Sequence, residues 1–195
     1  MRLLILYVTA IFLFVISCGN PSEVIDDQQE VVDTTTLYGD KRFVFPDLSQ
    51  NAKVHITKWG AFEDFEAEAK NINGSTIEAL RDKSERLISR IDSLTKKVPD
   101  TLKTQAIVSR VMVTKTRASL LHEEVRKSRI DSARLENQID EMNIATKNLI
   151  VQINEKFQKD AIYLQRRDDE KKELEKQKRF LDSVYKAELE DSNKN

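Results

Sequence analysis

Side chains able to do chemistry are sparse in this chain of 195 residues. It has one cysteine, Cys18, and two histidines, His55 and His122. A single thiol closes no internal disulfide and has no second thiol with which to hold a metal. His55 stands between Val54 and Ile56, and His122 follows Leu121; neither has Cys, Asp or Glu at a spacing that stands out as metal-ligating. Both read as packing or surface residues. Gly19, Gly39, Gly60 and Gly74 are too far apart to form a glycine-rich phosphate loop. No strand is expected that could carry a nucleophilic serine on a strand–turn–helix elbow. The acids Glu123-Glu124 and Asp168-Asp169-Glu170 alternate with bases, the pattern of a solvated helix face. Lys and Arg balance Asp and Glu, without the one-sided basic stripe that phosphate contacts need. The expectation is a non-catalytic chain with no cofactor, no metal and no nucleic-acid partner.

The position of Cys18 is more informative than its solitude. Arg2 and the amino terminus are positive, and residues 3–16 are fourteen uncharged, mainly apolar residues. As a helix that run is about 21 Å long, at ~1.5 Å per residue. Crossing a bilayer takes about 20 residues, so the stretch reads as a signal peptide and not as a stable span. It ends in Val15-Ile16-Ser17-Cys18. That tetrad resembles the lipobox of bacterial lipoproteins, with Val where Leu is more usual. The resemblance implies acylation of the Cys18 thiol, cleavage on its amino side, and several acyl chains, palmitate among them, on this residue. One acyl chain anchors only marginally and several anchor stably. Gly19 and Asn20 follow, with no Asp directly after the cysteine, which by resemblance to proteobacterial sorting favours the outer over the inner membrane.

Residues 18–46 read as an acidic, lipid-anchored tether. Between residues 18 and 50 seven acids face only Lys41 and Arg42, a net charge of −5, while the rest of the mature chain is +3. Such a stretch, with Pro21 and Thr34-Thr35-Thr36, has little apolar surface to bury. The first apolar elements are Leu37-Tyr38 and Phe43-Val44-Phe45-Pro46, expected to pack on helices in preference to forming a hairpin around Gly39-Asp40.

The elements that must position everything else are helices. Every glycine lies before residue 75, the prolines are Pro21, Pro46 and Pro99, and residues 100–195 contain neither breaker. The fold class is therefore all-α. A first helix over roughly 56–72 presents Trp59, Phe62, Phe65, Ala69 and Ile72 on one side, and Asn73-Gly74 ends it. Ser75 as N-cap and Glu78 three residues on form a capping box for the second helix. Its seam is Ile77, Leu80, Ser84, Leu87, Ile91, Leu94 and Val98, a heptad pattern that Pro99 stops. Asp100 or Thr101 can cap the third helix. Along it Ile107, Val111, Thr114, Ala118, Leu121, Val125, Ser128, Ser132, Leu135, Ile139, Met142, Thr146, Leu149 and Ile153 keep one register. That implies one continuous helix, weakest at Ser128–Ser132, where a bend or hairpin turn is the alternative. Phe157, Ala161 and Leu164 step by four where three was due, a stutter. Residues 166–195 form a charged helix with a small apolar patch at Phe180, Leu181, Val184 and Tyr185, then a frayed tail.

The expected architecture is a three-helix core over residues 47–165, made by a helical hairpin and the first helix, with a long coiled-coil-forming C-terminal helix. Lipobox, acidic tether, aromatic-led helix and long charged helix together resemble the small coiled-coil lipoproteins of the Bacteroidota. The resemblance implies a lipid-anchored envelope protein but brings no catalytic residues. Its role is then structural or adaptor, with the membrane as one partner through Cys18 and another protein, or a second copy, through the helical seams. The alternative is a binding module, chaperone-like or ligand-sequestering, with an apolar cleft near Trp59, Phe62 and Phe65.

Overall fold

The computed structural model describes residues 35–193. Cys18, the signal peptide and the acidic tether up to residue 34 lie outside the described residues. Within them the chain is all-α: α1 (Gln50–Ile56), α2 (Gly60–Asn71), α3 (Ile77–Lys96), a 3-10 turn (Asp100–Leu102), α4 (Gln105–Val125) and α5 (Ser132–Ser192). The only β-type pairing among these residues is an isolated antiparallel bridge between Tyr38 and Ser75.

Four of the helix starts are set by a short polar side chain that satisfies an amide left without a partner in the first turn. Ser49 accepts from Ala52 N in α1, and Thr76 from Ala79 N in α3. Thr104 accepts from Ile107 N in α4, and Asp131 from Arg134 N in α5. Two expected caps are thereby corrected. Thr76, not Ser75, caps α3, because Ser75 is held by the bridge to Tyr38 and its hydroxyl donates to Asn71 O. Thr104, not Asp100 or Thr101, caps α4, because the chain first makes a 3-10 turn that buries Leu102. The aromatic-led helix expected over roughly 56–72 is α2, which begins only after Trp59, and a separate short helix not expected from the sequence, α1, precedes it and closes at Ile56.

The long third helix is broken. Residues 126–131 turn the chain back, so that α5 runs antiparallel to α4, with Thr114 Oγ1 3.5 Å from Ala145 O and Arg117 paired with Glu141 at 3.0 Å. Ion pairs mark the other antiparallel interfaces: Arg86–Glu68 (3.1 Å) and Arg90–Asp64 (3.3 Å) join α3 to α2, and Lys115–Asp92 (2.7 Å) joins α4 to α3. The expected three-helix core therefore gains a leg. Helices α1 and α2 together form the first, α3 and α4 the next two, and residues 132–157 of α5 the fourth.

The core is the heptad seam turned inward. Ile77, Leu80, Leu87, Ile91, Leu94, Val111, Leu121, Val125, Leu135, Ile139, Met142, Leu149 and Ile153 are all buried within this single chain. Full burial of such a side chain contributes ~1.5–3 kcal/mol, so the seam is the principal stabilising feature. The segment before α1 lies along α5: Gly39 N donates to Glu136 Oε2 (2.9 Å), and Ser49 N donates to Asn154 Oδ1 (2.8 Å). Tyr38 and Phe45 are buried, so this stretch packs on the helices as expected from its sequence. A reciprocal amide pair, Asn73 Nδ2 to Asn143 Oδ1 (3.1 Å) and Asn143 Nδ2 to Asn73 Oδ1 (2.8 Å), locks the α2–α3 turn to α5.

Candidate functional site

The aromatic trio Trp59, Phe62 and Phe65, which the sequence reads first as core packing and only in the alternative as a binding surface, is interior. Trp59 is 2% exposed, and Phe62 and Phe65 are fully buried, their rings in contact along one row. These side chains fill the space that an apolar cleft near Trp59 would occupy. Their spacing of three makes the stripe visible in the sequence; burial cannot be read there, because a ligand-lining and a core-facing stripe share one periodicity.

The seam residues are likewise taken up by one another across α3, α4 and α5. They are not free to form a coiled coil with a partner. Whatever interaction surface the chain has must be built from other residues.

The structure assembles one pair that sequence separation hides. His122 Nδ1 lies 3.0 Å from Ser84 Oγ. A Ser–His contact is the start of a nucleophile arrangement, but here Ser84 is fully buried and its hydroxyl also donates to Arg81 O (3.0 Å). The other ring nitrogen, Nε2, faces the Arg126 guanidinium at 3.4 Å, where a nucleophile's general base would be oriented by an acid. The contact ties α4 to α3. His55 stacks flat on Phe157, with ring centroids 4.3 Å apart and planes 10° from parallel, and Lys156 Nζ sits 4.4 Å from the Phe157 centroid. Lys156 also pairs with Asp160. Among the described residues no cluster of three His, Cys, Asp or Glu side chains could hold a metal ion.

Phe157 is where α5 leaves the bundle. It is the last buried residue of the helix, and every described residue from 158 onward is exposed. The stutter read from the sequence falls at this place: after it, Ala161 and Leu164 no longer meet the core. The departure leaves two open hollows flanking α1, of about 460 and 500 Å³, both lined by Asn51 and Ala161. His55, Val54 and Leu164 line the first, and Ile162 with Asn154 the second. The side chain of Asn154 clasps the start of α1 by donating to Asp47 O (2.9 Å) while accepting from Ser49 N. This shoulder is thus rigid on its bundle side.

Beyond it, residues 158–192 continue as α-helix for roughly 52 Å, at ~1.5 Å per residue. Ten acids and nine bases along this stretch leave it nearly neutral. Opposite charges three or four residues apart help sustain an exposed helix, as Lys172 with Asp169 and Lys176 with Glu173, each at 3.6 Å, do here. The apolar residues on it are left in solvent: Leu174 is 59% exposed, Phe180 66%, Leu181 64% and Tyr185 62%. Apolar residues scattered singly over a surface are ordinary, but a contiguous set marks an interaction site. This projecting half of α5 is the candidate functional element. No described helix is long and apolar enough to cross a membrane. Compared with known proteins, the chain matches no family model, no curated protein and no solved structure.

Proposed function

We propose that this chain is a lipid-anchored protein of the cell envelope with a non-catalytic structural or adaptor role. In this reading Cys18 carries the lipid, the bundle is a rigid base, and residues 158–192 are the element that meets a partner. The observation that carries it is the contrast within α5, whose second half keeps its helix while burying nothing. A helix of that length with exposed aromatic and leucine side chains is suited to binding another helix, and unsuited to enclosing a small molecule. The residues after Cys18, Gly19 and Asn20, favour the outer membrane as the site of anchoring.

Two measurements on the full chain in bacterial cells test the reading. Radiolabelled palmitate should be incorporated into the protein and lost in Cys18→Ser, which should also leave the membrane fraction. Deleting residues 166–195 should leave the bundle folded and anchored while abolishing cross-links to its partner. A Cys18→Ser protein that still fractionates with membranes and is still labelled contradicts the anchor. Unchanged cross-linking after the deletion contradicts the adaptor role of α5.

A further inference from the structure

We propose that the partner of the projecting helix is a second copy of this chain, joined through residues 173–189 as a short, parallel, in-register two-stranded coiled coil. This rests on the reading of that half of α5 as the interaction element and names what it binds.

Leu174, Gln177, Leu181 and Val184 succeed one another at spacings of 3, 4 and 3, the step of a coiled-coil seam. Glu173 and Phe180 immediately precede its two leucines, and Lys178 and Tyr185 immediately follow Gln177 and Val184. In a parallel pair, each residue just before a seam leucine meets the residue five positions further on in the other helix, and these flanking pairs select partner and orientation. Glu173 then faces Lys178 of the second copy, an opposite-charge pair, and Phe180 faces Tyr185, a ring pair. Two-fold symmetry makes each pair twice. Within one chain Glu173 reaches only Lys176, at 3.6 Å with both side chains well exposed, and Lys178 has no ion-pair partner among the described residues. An antiparallel pair would separate both matches, because flanking positions of the same kind then meet.

The size of the patch fixes how strong the contact is. An aromatic side chain offers ~150–250 Å², and Phe180 and Tyr185 are each more than three-fifths exposed. With Leu174, Leu181 and Val184, two copies would bury on the order of 1,000 Å², the transient end of specific interfaces. Two heptads in free solution are therefore weakly paired. Chains held on one surface gain a high effective concentration, and a parallel pair keeps both bundles at the same end, as two anchors in one membrane require.

The test uses the full-length chain in its own membranes, with Gln177→Cys in the seam and Ser183→Cys as a control outside it, about 120° round the helix from position 177. Mild oxidation should give a disulfide dimer whose linked peptide joins position 177 to position 177, severalfold more abundant than any dimer through position 183. Glu173→Lys or Lys178→Glu, added singly, should lower that dimer, and the two exchanged together should restore it. Equal dimers at both positions, no dimer at 177, or no restoration by the exchange would overturn the proposal. A link from 177 to a different protein would overturn it too, while leaving the adaptor role standing. Fractionation of the same samples reads the anchor separately. A chain that leaves the membrane yet forms the 177–177 link when concentrated contradicts only the anchor; one that stays in the membrane without the link contradicts only the pairing.

Discussion

Between Leu135 and Phe157, α5 buries ten side chains; from residue 158 to Ser192 it buries none. Backbone and handedness are continuous through the junction, so the difference lies in side chains alone. The first half is helical because an apolar stripe is held against α4 and the first leg. The second is helical because nothing in it breaks a helix and its charges alternate in sign along the turns. One regime stores the stability of the fold, and the other presents a surface.

Substitutions should separate the two regimes, and the largest effect belongs to the bundle. Phe62→Ala empties a fully buried position and should cost ~3–5 kcal/mol, read as a fall in the urea midpoint. Asn143→Ala leaves the Asn73 amide without its partner inside the structure. It should cost ~1–3 kcal/mol, with Asn143→Asp failing to rescue because a carboxylate cannot donate to Asn73 Oδ1. Gly39→Ala forces a side chain onto φ +78°, where its Cβ would lie 2.9 Å from Asn73 Oδ1. A left-handed residue of this kind costs ~1–2 kcal/mol before any clash, again read by urea denaturation. In the projecting half, Leu181→Ala should move the unfolding midpoint by no more than the equivalent of ~0.5 kcal/mol, yet reduce the 177–177 link. A large loss of stability from Leu181→Ala would mean that this half is part of the folding unit after all.

Much of this division is legible in the sequence. The 4–3 spacing from Ile77 to Leu94 and from Ile107 to Ile153 names the core positions, and the apolar seam residues it picks out are buried. What spacing cannot give is the partner of each stripe, since a seam packed on its own chain and a seam awaiting another look alike. The turn at residues 126–131 is hidden for a related reason. Val125, Ser128, Ser132 and Leu135 keep the heptad step straight through it, and no Gly or Pro marks it. The residue-level signal is local. Asp131 caps the new helix, and Ile130 before the cap and Leu135 in the first turn, both buried, have the spacing of a hydrophobic staple. Helix α1 escapes a periodicity reading because seven residues are too few to show a period. The Asn73–Asn143 and Ser84–His122 contacts join residues far apart in the chain, which no local pattern reports. The onset of the projection is visible only as a stutter, and it falls at Phe157, earlier than the charged run that starts at residue 166.

Hydrogen exchange along α5, followed by mass spectrometry on the full chain kept dilute in detergent, tests the central claim most directly. Amides from Leu135 to Phe157 should exchange only when the bundle opens, and those from about residue 162 onward by local fraying of an unsupported helix. The account predicts a drop in protection of orders of magnitude within the two turns after Phe157. Protection that continues undiminished to residue 185 would contradict it, because residues 158–192 would then be held by the bundle and could not serve as a free arm.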